Sequence, residues 1–67
     1  MKMKNKEMTN EEKVLKTLKD FGRLPTSRIG AIIGINFEST EKLLESLQED
    51  KKVIKYPETI ATYWEVK

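Results

Sequence analysis

The stretch from Ile29 to Val53, IGAIIGINFESTEKLLESLQEDKKV, leaves this chain the fewest choices. Ile29 and Ile33 stand four apart, the spacing of one helical face, and Gly34 then interrupts the pattern. Two residues later Asn36 can cap a new helix by accepting a bond from a backbone N–H of its first turn. Behind it, Thr40, Leu43, Leu44 and Leu47 repeat at the 3, 4, 7 spacing of a buried stripe, which predicts a helix running to about Asp50. A short helix, a tight turn around Gly34 and a longer amphipathic helix follow, and Gly30, with almost no side chain, lets the two axes come close.

Upstream, Thr9 and Glu12 have the spacing of a capping box, so a first helix begins there. Val14, Leu15, Leu18 and Phe21 make its apolar face, and Glu12, Lys13, Lys16, Lys19 and Asp20 the opposite one, with Glu12 and Lys16 placed for an i,i+4 pair. Gly22 is positioned to end this helix in a left-handed turn, and Leu24-Pro25 keeps the chain extended. Thr26 is the expected N-cap of the second helix, Thr26 to Ile33, with Ser27 and Arg28 in its first turn. Ile32 lies off the Ile29 and Ile33 face and is expected in the core against the first helix. Met1 to Met8, carrying Lys2, Lys4 and Lys6 without apolar periodicity, reads as a disordered basic tail ahead of one domain over residues 9–67.

After the long helix, VIKY, PET and IATYWEV read as two β segments around a turn at Pro57, a hairpin. Alternation puts Val53 on one face of the first strand, and Trp64 and Val66 together on one face of the second, with Tyr63 and Glu65 turned away. Trp64 is expected to act as a lid on the core, and its indole nitrogen then needs a partner.

Composition narrows the function. Sixty-seven residues allow one small core. With no cysteine or histidine there is no disulfide and no structural zinc site of the usual kind, and the commonest acid–base and nucleophilic groups are missing. No Gly-rich phosphate loop is present, so an enzyme is not expected, nor a cofactor. Glu41, Glu45 and Glu49 at i,i+4 spacing are read as a solvated helix face and not as a metal site. No apolar run approaches the roughly 20 residues of a membrane span, and Met1 to Met8 lacks the apolar centre of a signal peptide, so a cytoplasmic protein is expected.

Three helices and a hairpin, with TSRIGAIIGINFESTEKLLESLQEDKKVIKY in the middle, resemble the winged-helix variant of the helix-turn-helix found in many bacterial and archaeal transcription regulators. The resemblance covers nearly all of the chain after Thr9 and implies an α+β fold, three helices followed by a C-terminal β-hairpin wing. It also implies that the helix from Asn36 to Asp50 enters the major groove of double-stranded DNA while the hairpin, Val53 to Val66, touches flanking backbone or minor groove. On that reading Asn36, Ser39 and Lys42 dock with the first turn of the helix, and Ser27, Arg28, Lys51, Lys52 and Lys55 contact phosphate. Two positions depart from the family pattern: Thr40 stands where an apolar β-branched residue is usual, and Lys51 where a glycine commonly ends the helix.

Charge points the other way. From Phe37 to Asp50 five acids face a single lysine, Lys42, whereas the rest of the chain carries 12 basic and 6 acidic residues beneath a formal total of +2. DNA presents a negative charge every ~1.7 Å of its axis, so a helix lined by glutamates is repelled unless only its first turn goes in. The alternative is a winged-helix module that binds another protein through Phe37, Glu38, Glu41, Glu45 and Glu49, aided by Ile60. Both readings stand at this point, as do a monomer and a homodimer.

Overall fold

The computed structural model describes residues 8–67, so the expected tail lies, but for Met8, outside the described residues. The elements are α1 (Asn10–Phe21), β1 (Leu24–Pro25), α2 (Thr26–Ile33), α3 (Phe37–Glu49), β2 (Val53–Pro57) and β3 (Thr62–Val66). The strands form an antiparallel sheet in the order β1-β3-β2. The helices pack on the face that carries Val53 and Trp64, and Val14, Leu18, Ile29, Leu44 and Leu47 complete the buried core.

Helix α1 starts with the expected capping box: the Thr9 hydroxyl accepts from Glu12 N at 3.2 Å, and the Glu12 carboxylate accepts from Thr9 N at 2.9 Å. Glu12 is thereby turned back toward the helix start, and Lys16 pairs with Asp20 at 3.0 Å in place of the expected Glu12 to Lys16 pair. Val14, Thr17 and Leu18 are buried. Phe21, expected on the same face, is 64% exposed, because the chain leaves the helix directly after it and brings Leu24 against the core instead. The exit is made by Gly22 at φ 83°, ψ −146°, a positive-φ extended geometry and not the expected left-handed helical turn.

Thr26 corrects the expected cap of α2. Pro25 holds the N-cap position without a side-chain bond, and Thr26 is already helical. Its hydroxyl is committed across the fold, accepting from the Trp64 indole N–H at 2.7 Å and donating to the Thr62 carbonyl at 3.3 Å. A buried N–H left unpaired costs ~1–3 kcal/mol, so this use of the hydroxyl outweighs a cap worth ~1 kcal/mol. Ile32 is also corrected. It is 42% exposed, since the eight-residue helix buries only Thr26, Ile29 and Gly30, and Ile32 is left at the rim of a shallow hollow beside Met8 and Lys13.

Helix α3 follows the expected design. Asn36 caps it by accepting from Ser39 N at 2.7 Å, and Thr40, Leu44 and Leu47 are fully buried, with Leu43 half-buried beside them. Gly34, at φ 84° and ψ 32°, supplies the left-handed turn between the two helices. Where they cross, a Cβ on Gly30 would lie 2.7 Å from Thr40 Oγ1 and 3.0 Å from the Ile35 carbonyl. The Thr40 hydroxyl donates back to the Asn36 carbonyl at 2.7 Å, which is how a polar residue is accommodated at this fully buried position.

The helix ends in a Schellman arrangement: Lys51 N donates to the Gln48 carbonyl and Lys52 N to the Leu47 carbonyl, each at 2.9 Å. Lys51 sits at φ 64°, the one non-glycine residue with positive φ among the described residues. That conformation costs an L-residue about 1–2 kcal/mol, partly offset by the greater unfolded-state entropy of glycine. Lys51→Gly should therefore stabilise the domain by about 1 kcal/mol, read as a higher urea midpoint at unchanged m-value.

In the sheet, Val53 pairs with Val66 and Lys55 with Trp64 on the core side, while Ile54 pairs with Glu65 and Tyr56 with Tyr63 on the other. The expected hairpin is present and extended by β1, whose Leu24 and Pro25 pair with Trp64 and Tyr63. Two residues are too few to show an alternating pattern, and proline suits an edge strand because it has no amide to leave unpaired.

Candidate nucleic-acid interface

A surface that reads a duplex needs exposed cations and hydrogen-bonding groups on a rigid element. The first turn of α3 is such an element. Asn36 fixes its start, Thr40 locks it against Gly30, and Ser39, Glu38 and Lys42 are exposed along its outer side. Among the described residues neither Lys42 nor Arg28 makes an ion pair. Ser27 and Arg28 are exposed in the first turn of α2, next to Thr26, which is itself fastened to β3.

A continuous run of contacts ties these elements together. The Thr26 hydroxyl holds the Trp64 indole, Lys55 Nζ lies 5.7 Å from the Trp64 ring centroid, and the same ammonium pairs with Glu45 on α3 at 3.5 Å. The start of α2, the two long strands and the middle of α3 are thus joined through the buried Trp64, with Lys55 at the solvent boundary. Lys55 is partly withdrawn from solvent by the Glu45 pair, although half of the Glu45 side chain remains in solvent and such a pair is worth at most ~1 kcal/mol.

The acidic side chains lie unevenly along α3. Glu38 and Glu41 flank Lys42 in the first half, and Glu45, Glu49 and the capping Asp50 occupy the second. All are exposed, as expected for a solvated face, and among the described residues no group of three or more acids gathers into a cation site. Lys51 and Lys52 do not join the first turn of α3. They sit beyond its other end, about 20 Å away along a 13-residue helix.

At the far end of the hairpin, Arg23 stacks over the Tyr56 ring at 3.8 Å and reaches Glu58 at 3.8 Å, while Tyr56 donates to Glu65 at 2.9 Å. This brace was not legible in the sequence, because Arg23 is remote from the hairpin along the chain. Ile60 at the tip is 93% exposed and Phe37 on α3 is 55% exposed. Among the described residues no helix is long and apolar enough to cross a membrane.

Comparison with known proteins places the architecture. No family model matches the chain, and no curated protein matches it in sequence. Among solved structures, it is similar to the Zalpha domain of Carassius auratus PKZ in complex with Z-DNA. The TM-score is 0.80 at 22% identity, over 87% of this chain and 92% of that one. It is also similar to the adhesin competence repressor AdcR of Streptococcus pyogenes, with TM-score 0.78 at 21% identity over 90% of this chain. ZitR of Lactococcus lactis, a zinc-responsive MarR family member, gives TM-score 0.78 at 19% identity over 97% of this chain. The aligned part spans 46% of each of these two regulators. The chain has the winged-helix fold, three helices with a three-stranded antiparallel sheet whose two long strands form the wing.

Proposed function

We propose that this protein is a small double-stranded DNA-binding regulator that docks the first turn of α3 on the duplex and steadies it with the start of α2. The observation that carries this reading is the pairing of a rigid, exposed α3 start with two cations, Arg28 and Lys42, that no carboxylate occupies among the described residues. Asn36 and Ser39 offer polar groups beside them, and the partial positive charge of the helix start adds to the attraction for phosphate. Glu45, Glu49 and Asp50 stay outside when only this turn approaches, and Lys55 partly compensates Glu45. The winged-helix Zalpha domain, bound to Z-DNA, and the repressor AdcR share this architecture and lend the reading its class of partner.

Titration of labelled duplexes, one right-handed and one held in the Z form, tests it at low and moderate salt. Affinity should fall steeply as salt rises, and Arg28→Glu with Lys42→Glu should lower it at least ~100-fold, since each reversal removes a phosphate contact and adds a repulsion. Unchanged affinity in that double variant overturns the docking. A wild-type protein without duplex affinity at low salt would favour the second reading, a protein-binding module, for which the exposed acidic half of α3 and the exposed Phe37 speak.

A further inference from the structure

Away from the start of α3, a second surface gathers cations. An open groove with a volume of about 910 Å³ runs between α1, the turn from α3 to β2, and the end of β3. Leu15 and Val66 line it together with five lysines, Lys16, Lys19, Lys51, Lys52 and Lys67, and two acids, Glu12 and Asp20. The Glu12 carboxylate is turned to the backbone of Thr9, and Asp20 pairs with Lys16 within the groove. Among the described residues Lys19, Lys51, Lys52 and Lys67 make no ion pair. These four lysines, outside any ion pair among the described residues, are thus brought into one concavity by segments remote in sequence, an excess of positive charge over the carboxylates of Glu12 and Asp20.

The backbone fixes where three of these lysines stand. Lys67 N donates to the Lys52 carbonyl at 3.0 Å, and Lys51 and Lys52 are held in the Schellman turn. Lys51 occupies the positive-φ position that favours glycine, so the fold tolerates local strain at a residue whose side chain lines the groove.

We infer that this groove is a second binding surface for the phosphate backbone of nucleic acid, so that one molecule holds two duplex segments, one at each end of α3. The inference rests in part on the proposed docking of α3, but the groove can bind whether or not that docking occurs. A concave surface with an excess of positive charge, here five lysines against two carboxylates, concentrates an anionic polymer, and each lysine that meets a phosphate releases a counterion. The acidic half of α3 from another copy of this chain is the competing occupant.

Duplex attached to beads, incubated with protein and then with a second, labelled duplex, tests the inference. The wild-type protein, Lys19→Glu with Lys67→Glu, and Arg28→Glu with Lys42→Glu are compared, and circular dichroism checks that each is folded. The wild type should retain the labelled duplex. The groove variant should bind the bead duplex within about threefold of wild type yet lose at least ~10-fold in capture of the second. Equal capture by the groove variant overturns the inference and leaves the α3 docking standing. Binding that survives in the α3 variant but is lost in the groove variant removes the α3 docking and keeps the groove. Sedimentation of the protein alone at low salt supplies the remaining arm: association into multimers that the groove variant abolishes would assign the groove to a second copy and overturn the nucleic-acid assignment. No retention by wild type overturns the inference unless bead binding itself is lost in the groove variant, the outcome that keeps the groove as the single duplex site.

Discussion

Trp64→Ala is expected to remove most of the stability of this domain. Trp64 is the largest fully buried side chain, 1% exposed, and it meets α2 through the Thr26 bond and supports Lys55 from beneath. Truncating a buried tryptophan costs ~3–5 kcal/mol, whereas a chain of this length has in all roughly 3–10 kcal/mol to lose. Thermal melts followed by far-UV circular dichroism should show the midpoint falling by tens of degrees or the cooperative transition disappearing. Tryptophan fluorescence cannot serve, because the variant has no tryptophan left. Trp64→Phe separates packing from hydrogen bonding: it keeps most of the apolar volume, needs no partner for an indole N–H, and should cost less than half as much. An alanine variant that melts within a few degrees of the parent would show that the core does not depend on this ring.

The second large effect is expected at Gly30. Alanine there gains about 1 kcal/mol of helix propensity over glycine. Its methyl group, however, would stand 2.7 Å from Thr40 Oγ1 and 3.0 Å from a backbone carbonyl, so α2 and α3 must move apart. Overpacking of this kind costs ~1–3 kcal/mol and occasionally more, and the backbone contact places Gly30→Ala at the upper end, with a net loss of about 2 kcal/mol. Thr40→Ala opens part of the space, so the double variant should be less destabilised than the sum of the two single variants by at least ~1 kcal/mol in urea titrations. Additive losses would show that the hydroxyl is not what Gly30 makes room for. Because the crossing also sets the angle at which the start of α3 is presented, Gly30→Ala is expected to weaken duplex binding under conditions where it remains folded.

These two positions mark how far the amino-acid sequence could be read. Gly30 was legible as a close approach because it falls within a helical pattern that has apolar residues one before and three after it. Thr9 and Asn36 were legible as caps because a cap concerns residues three apart, and both bonds are present. Thr26 was misread for the same reason. Its local context predicts a cap, but its hydroxyl is taken by a residue 38 positions away, and no local pattern announces such a bond. Phe21 continues the apolar face of α1, and Ile32, off the Ile29 and Ile33 face, is read as core; both are exposed, because a helical pattern does not say how far the neighbouring element reaches. Of the candidate interface, the exposure of Ser27, Arg28, Ser39, Lys42 and the glutamates of α3 followed from a helical wheel. The pairing of Lys55 with Glu45 and the convergence of lysines from α1, the turn after α3 and the end of β3 arise only when distant segments meet.

The short strand β1 has a kinetic consequence. Its pairing with β3 and the Thr26 bond to Trp64 join segments 38 positions apart, whereas the capped helices and the β2–β3 hairpin rest on nearby residues. Closing so long a loop spends chain entropy before any contact rewards it, while helical turns and hairpins form within microseconds. Refolding should therefore be limited by the arrival of β3 beside β1, with tryptophan burial as its optical signal and helical ellipticity preceding it. Until that moment the indole and the half-formed sheet edge are open to other chains, which makes dilute protein and a brief refolding step the conditions under which this domain assembles cleanly.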